Sequence, residues 1–329
     1  MAHSAVAHLG STIVTIALLS SPTRAEARGS VEIDATTDAG GSAGASELEE
    51  PPERPPAAAL DERVQAGRHW RFETARGVVH CWIPEDYDAA TAATVVFVHG
   101  YWINVDAAWA SYRLAEQFAL AGINAMFIAP EAPSAKWDSI AWPSLADLIA
   151  AVGNSVDVAM PTQRVIAVGH SGAYRNIGAW LAHPALDTVV LLDAAYTEFG
   201  LLPWVRASKD HRLVNIVYET GRFSDYLHWR LPSTRRITGL PAVALPDERI
   251  LYIRTSVGHW SLVTDGVALP LALRAIEVPM VVSAPVDLPL GLPALPPAAP
   301  DLDAPALERA SDPVPSVDWL APPPLAGWW

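Results

Sequence analysis

The chain has 329 residues, 51% of them hydrophobic, which is enough to bury a sizeable core in one large domain or two small ones. Its formal net charge is −14, and its lysines and arginines form no basic stripe, which excludes nucleic acid and anionic membrane surfaces as main partners. Cys81 is the one cysteine, which excludes an internal disulfide, and its setting in VVHCWIP is that of a buried thiol.

In chain order, an export signal comes first. Residues 9–20 contain IVTIALL, an apolar run too short to span a bilayer, so no stable membrane insertion is expected. Ala25-Glu26-Ala27 is a small-x-small cleavage signature. Residues 1–27 therefore read as a signal peptide cleaved after Ala27, and the protein as secreted or periplasmic. No Lys or Arg precedes the apolar run, so the alternative is a cytoplasmic chain. Residues 28–66 read as an acidic, Pro/Ala/Gly-rich linker without apolar periodicity. Residues 283–329 form a Pro-rich tail ending in Trp-Trp, unable to sustain helices or sheet ladders and suited to a protein partner.

Between them, residues 67–282 hold the folded domain. Buried strands are expected at 94–99 (TVVFVH), 124–128, 165–168, 188–192, 213–218 and 250–255. Helices are expected at 107–121, 145–158, after Ser171, and at 267–276. Continuous apolar strands alternating with helices predict a mostly parallel α/β sheet covered on both faces, with functional loops at the carboxyl ends of its strands. Residues 223–247 are expected to form a small cap. Of the thirteen tryptophans, Trp102, Trp137, Trp142, Trp229 and Trp260 fall in or near predicted loops and suggest an aromatic-lined cleft.

The chemistry gathers around RVIAVGHSGAYRNIGAWLA, residues 164–182. A serine that attacks must project above the sheet from a tight strand-to-helix turn. Such a turn crowds the residues two before and two after it, so both must be small. Here they are Gly169 and Ala173, around Ser171. The simpler alternative is a serine that only caps a helix. An oxyanion would need two donors: the N–H of Gly172, just after the serine, and that of Tyr101 in the loop opened by His99-Gly100. The base should be a histidine on a late loop. Of the ten histidines only His259, in TSVGHWSLV, follows the last strand. The acid should end a strand and orient the imidazole. Asp193, closing TVVLLD, is the first choice, and Glu219 and Asp225 are the alternatives. His170, Trp102 and Trp260 flank these positions and are expected to touch substrate.

On HGYW after one strand, GHSGA after another, Asp193 at the next strand end and GHW after the last, the chain resembles the α/β-hydrolase superfamily over about residues 95–269. The order Ser171, Asp193, His259 is that superfamily's order. The resemblance implies an eight-stranded, mostly parallel sheet with helices on both faces, and serine-hydrolase chemistry with no metal or organic cofactor. Ala173 departs from the commoner second glycine. Asp193 follows the sixth strand where the usual acid follows the seventh, so the acid stays open. The reading is a secreted serine hydrolase, foremost a carboxylesterase acting on a small-molecule ester. Its alternatives are an amidase or peptidase with the same triad, and a non-catalytic binding module on the same scaffold.

Overall fold

A computed structural model describes residues 57–197, 200–281 and Gly291. The expected signal peptide, the linker up to residue 56 and the Pro-rich tail lie outside the described residues, apart from Gly291. Among the described residues no helix is long and apolar enough to cross a membrane.

The strands are β1 (Arg68–Thr74), β2 (Gly77–Ile83), β3 (Ala93–Val98), β4 (Ala125–Pro130), β5 (Val165–His170), β6 (Leu186–Leu192), β7 (Arg212–Val217), β8 (Arg235–Thr238) and β9 (Ile250–Arg254). They form one sheet in the order β1-β2-β4-β3-β5-β6-β7-β9-β8. The pairings β1–β2 and β2–β4 are antiparallel, and the rest are parallel. The sheet is thus mostly parallel, with one strand more than the resemblance implied.

Helices cover both faces. They are α1 (Ala57–Ala66), α2 (Val105–Ser111), α3 (Leu114–Ala121), α4 (Leu145–Ser155), α5 (Tyr174–Trp180), α6 (Leu201–Ala207), α7 (Gly221–Trp229), α8 (Ser261–Thr264) and α9 (Ala268–Arg274). The period-two alternation of the strands feeds two cores. Val95 and Phe97 of β3, with Ile166 and Val168 of β5, pack among Leu114 and Phe118 of α3 and Leu269 and Leu273 of α9. The residues between them, Val96, Val98, Val165 and Ala167, pack among Leu148 and Val152 of α4, Ile177 and Trp180 of α5, and Leu227 of α7. Because both faces are dry, the strands read as unbroken apolar runs.

Three expectations are corrected. Residues 57–66 are not extended linker but helix α1, which carries Leu60 into the core. The single helix expected at 107–121 is two, α2 and α3, broken where Arg113 takes a left-handed φ of 53°. Residues 223–247 do not form a cap. Leu227 anchors α7 in the core, and β8 pairs with β9 to extend the sheet edge.

Candidate active site

At the carboxyl end of β5 the chain turns through Ser171 at φ 51°, makes one 3₁₀ turn over Ser171–Ala173 and enters α5. A left-handed φ on a non-glycine residue costs about 1–3 kcal/mol and persists only where surrounding structure enforces it. Glycines make the turn possible. A Cβ on Gly169 would stand 2.9 Å from that of Ala173 and 2.5 Å from Ile177 Cδ1. A Cβ on Gly100 would stand 2.7 Å from Ser171 Cβ, so only glycine lets the β3–α2 loop close on the serine. A Cβ on Gly172 would lie 2.6 Å from the Tyr101 ring, whose face rests on that glycine. Residues 100–101 and 171–172 are therefore in direct contact, and both expected oxyanion donors belong to this junction. His99 is structural: its Nδ1 lies 2.7 Å from the Gly100 carbonyl and its Nε2 accepts the Ala132 N–H.

Asp193 ends β6 with φ 50° and is 0% exposed. Its Oδ1 accepts the backbone N–H groups of Tyr218, Glu219 and Thr220 and the Thr220 hydroxyl, all within 3.0 Å. Its Oδ2 lies 2.7 Å from His259 Nδ1. Burial alone would raise this carboxyl. Hydrogen bonds from His259 and the three backbone donors prevail and hold it at about 2. Asp193 is ionised at neutral pH, so His259 donates from Nδ1 and its Nε2 is the ring's acceptor.

The other two acids stand differently. Glu219 donates its backbone N–H to Asp193 while its own carboxylate is exposed. Asp225 accepts the Tyr252 hydroxyl at 2.7 Å and pairs with Arg254 at 3.1 Å. Asp193, Glu219 and His259 offer donor atoms within 4.8 Å of one another, the one such group of three among the described residues. Asp193 already has both oxygens filled by N–H and O–H donors, which suits an acid orienting an imidazole better than a metal ligand.

His170, expected to touch substrate, is corrected: it is 0% exposed, with its Nε2 on the His259 carbonyl at 3.1 Å. Trp260 lies edge-on to His259 at 5.6 Å and is exposed. Trp102 holds φ 70°, is 75% exposed and meets Trp137, 79% exposed, edge to face at 6.5 Å. The Trp102 N–H donates to the Ser134 carbonyl, and Arg175 of α5 clamps the Lys136 and Asp138 carbonyls, so both indoles are presented from pinned loops. Trp142 belongs instead to the core, its carbonyl accepting Trp180 Nε1. Trp229 is exposed on α7. Tyr196, three residues beyond Asp193, was not anticipated. Burial pushes its hydroxyl's titration up, with Ser171 opposing that shift, and its ring lies 5.9 Å from that of Tyr174. A tyrosine in DAAY carries no sequence signal for a place beside Ser171 and Tyr174.

No family model matches the sequence, and no curated protein matches it. Among solved structures, the feruloyl esterase module from Clostridium thermocellum is similar at TM-score 0.47 and 11% identity, over 69% of this chain and 95% of that one. An S-formylglutathione hydrolase from Staphylococcus aureus is similar at TM-score 0.40 and 14% identity, over 63% and 94%. A Pyrococcus furiosus esterase is similar at TM-score 0.39 and 13% identity, over 65% and 92%. With its mostly parallel sheet, two helical layers and a strained serine turn after β5, the chain has the α/β-hydrolase fold.

Proposed function

We propose that the protein is a serine hydrolase that cleaves carboxylic esters through an acyl-enzyme on Ser171. The observation that carries this is a His259 whose Nδ1 is held 2.7 Å from a fully buried Asp193, in a sheet whose central strand β5 ends on a strained, glycine-walled Ser171. A carboxylate desolvated and bonded this way orients one tautomer and favours the imidazolium that forms during attack. A serine and histidine with structural duties alone would not need that arrangement.

In the proposed reaction the Ser171 hydroxyl adds to the ester carbonyl carbon while its proton passes to His259 Nε2. The carbonyl electron pair moves onto oxygen, where the N–H groups of Tyr101 and Gly172 receive it. The oxyanion collapses, the alcohol leaves with the proton from His259, and an acyl-serine remains. Water then adds to the acyl carbon, losing its proton to His259, and collapse releases the acid and restores Ser171. Asp193 stays ionised throughout. The exposed Trp102, Trp137 and Trp260 suit an ester with an apolar or aromatic part. Export through residues 1–27 belongs to the same reading, and the exported protein should begin at Arg28.

A fluorophosphonate probe tests the reading without a choice of substrate. Wild type should be labelled, and Ser171→Ala and His259→Ala should not. A folded wild type that resists labelling would refute it.

A further inference from the structure

His170 has no exposed surface, yet it is a polar ring inside the nucleophile turn, and the reaction above gives it no part. Its Nε2 stands 3.1 Å from the backbone carbonyl of His259. A carbonyl only accepts, so the proton sits on Nε2. The His170 ring lies 4.5 Å from the His259 ring, with Tyr112 edge-on at 6.0 Å and Trp260 at 5.5 Å. On its other edge Nδ1 approaches Gly100 so closely that a Cβ there would be 3.3 Å away. The ring is a wedge between the loop carrying Tyr101, the turn carrying Ser171 and the loop carrying His259.

The His259 loop needs such a wedge. Val257 packs against the core, but a Cβ on Gly258 would meet nothing within 4 Å, so the residue directly before the base is not locked by side-chain packing. Val257 bonds to Thr255 of its own loop, and the Gly258 and Trp260 carbonyls bond forward into α8. From outside, the His259 side chain is held by Asp193 and its backbone by His170.

We propose that His170 is a positioning residue: its Nε2–H, bonded to the His259 carbonyl, keeps the loop carrying the base in register with the turn carrying the nucleophile. The proposal rests on the serine-hydrolase reading. One imidazole must meet Asp193 at Nδ1 and the serine proton at Nε2, and a misplacement of about 1 Å in such geometry costs about 10²-fold in rate. The charged and titratable groups facing His170 are His259, Asp193, His99 and Tyr112. Burial first, then the His259 ring, pushes its own titration down to about 3 against the opposing effects of the His259 carbonyl bond and of Asp193, so the ring stays neutral and the bond intact at neutral pH.

Two variants separate hydrogen bond from packing. His170→Phe keeps a ring and removes the donor, and His170→Gln keeps a donor at comparable reach and removes the ring. Three readouts apply: melting temperature, the pH profile of kcat/KM on a small ester, and the far-downfield NMR resonance of the His259 Nδ1 proton. His170→Phe should fold, lose about 10- to 100-fold in kcat/KM with kcat carrying the loss, shift the acid limb of the profile downward and broaden the Nδ1–H resonance. His170→Gln should restore rate, profile and resonance. A His170→Phe protein with wild-type rate and resonance would overturn the proposal. So would equal losses in both variants that follow only their melting temperatures. If the wild type proves inert to fluorophosphonate, the hydrolase reading falls, while the Nδ1–H resonance in the three proteins still decides whether His170 holds the loop.

Discussion

Gly172→Ala puts the proposed oxyanion site under a defined strain. Gly172 has no left-handed φ, so its backbone accepts alanine. The new Cβ would sit 2.6 Å from two carbons of the Tyr101 ring and 2.7 Å from Cγ. Ordinary contact begins near 3.4 Å, so the ring must retreat by about 0.8 Å. Cγ is the ring's root, and its retreat drags the Tyr101 backbone along. That backbone carries the proposed second donor. Overpacking of this size costs about 1–3 kcal/mol of stability. Loss of one aligned oxyanion donor costs about 10²- to 10³-fold in kcat. Steady-state hydrolysis of a small ester should show that fall in kcat with KM little changed, beside a modest drop in melting temperature. Tyr101→Ala supplies the control, because it deletes the ring and keeps the N–H. In the double variant the clash is gone, and kcat should recover to near that of Tyr101→Ala alone, a strong non-additivity. A Gly172→Ala enzyme with wild-type kcat, or a double variant no better than Gly172→Ala, would refute the reasoning.

The acid is tested by isosteric changes. Asp193→Asn keeps an oxygen for the N–H groups of Tyr218, Glu219 and Thr220 but fixes the wrong tautomer of His259, and should lower kcat by about 10⁴-fold without unfolding the protein. Glu219→Gln should stay within a few-fold of wild type by the same assay, because its carboxylate is exposed while Asp193 holds the imidazole; reversed effects would transfer the role to Glu219. Acid should destabilise the fold. Burial holds His228 and His170 at about 3, against about 6.5 in an unfolded chain. Between those limits the unfolded state binds more protons, so stability falls as pH falls, by up to about 1.4 kcal/mol per pH unit for each ring. Asp193, held at about 2, adds stability above the ordinary carboxylate range and loses it progressively as pH falls from about 4 to about 2. Melting temperatures should therefore drop steadily from pH 6.5 to 4, and a flat profile would contradict the buried neutral histidines.

What the sequence made legible, and what it hid, divides along the range of the forces involved. The serine turn is a five-residue steric problem: a Cβ on Gly169 would stand 2.9 Å from that of Ala173, so small residues at those two places betray it. The dry core strands betray themselves equally locally, as unbroken apolar runs. The acid could only be shortlisted, because the choice depends on how β6 and β7 align. Leu192 opposite Ile216 sets Asp193 below the N–H groups of 218–220, and no pattern within either strand states that register. Residues 223–247 resembled a cap because RRIT, the charged edge strand β8, lacks an apolar run, and an edge strand is where charge belongs. His170 looked like a substrate contact because it adjoins Ser171, yet its partner is a carbonyl 89 residues further on. The two hydrogen bonds that place His259 come from the ends of β5 and β6, and each joins residues at least 66 positions apart. Local sterics can announce a candidate nucleophile; the groups that would aim its proposed base are set by strand register, and they become visible only in three dimensions.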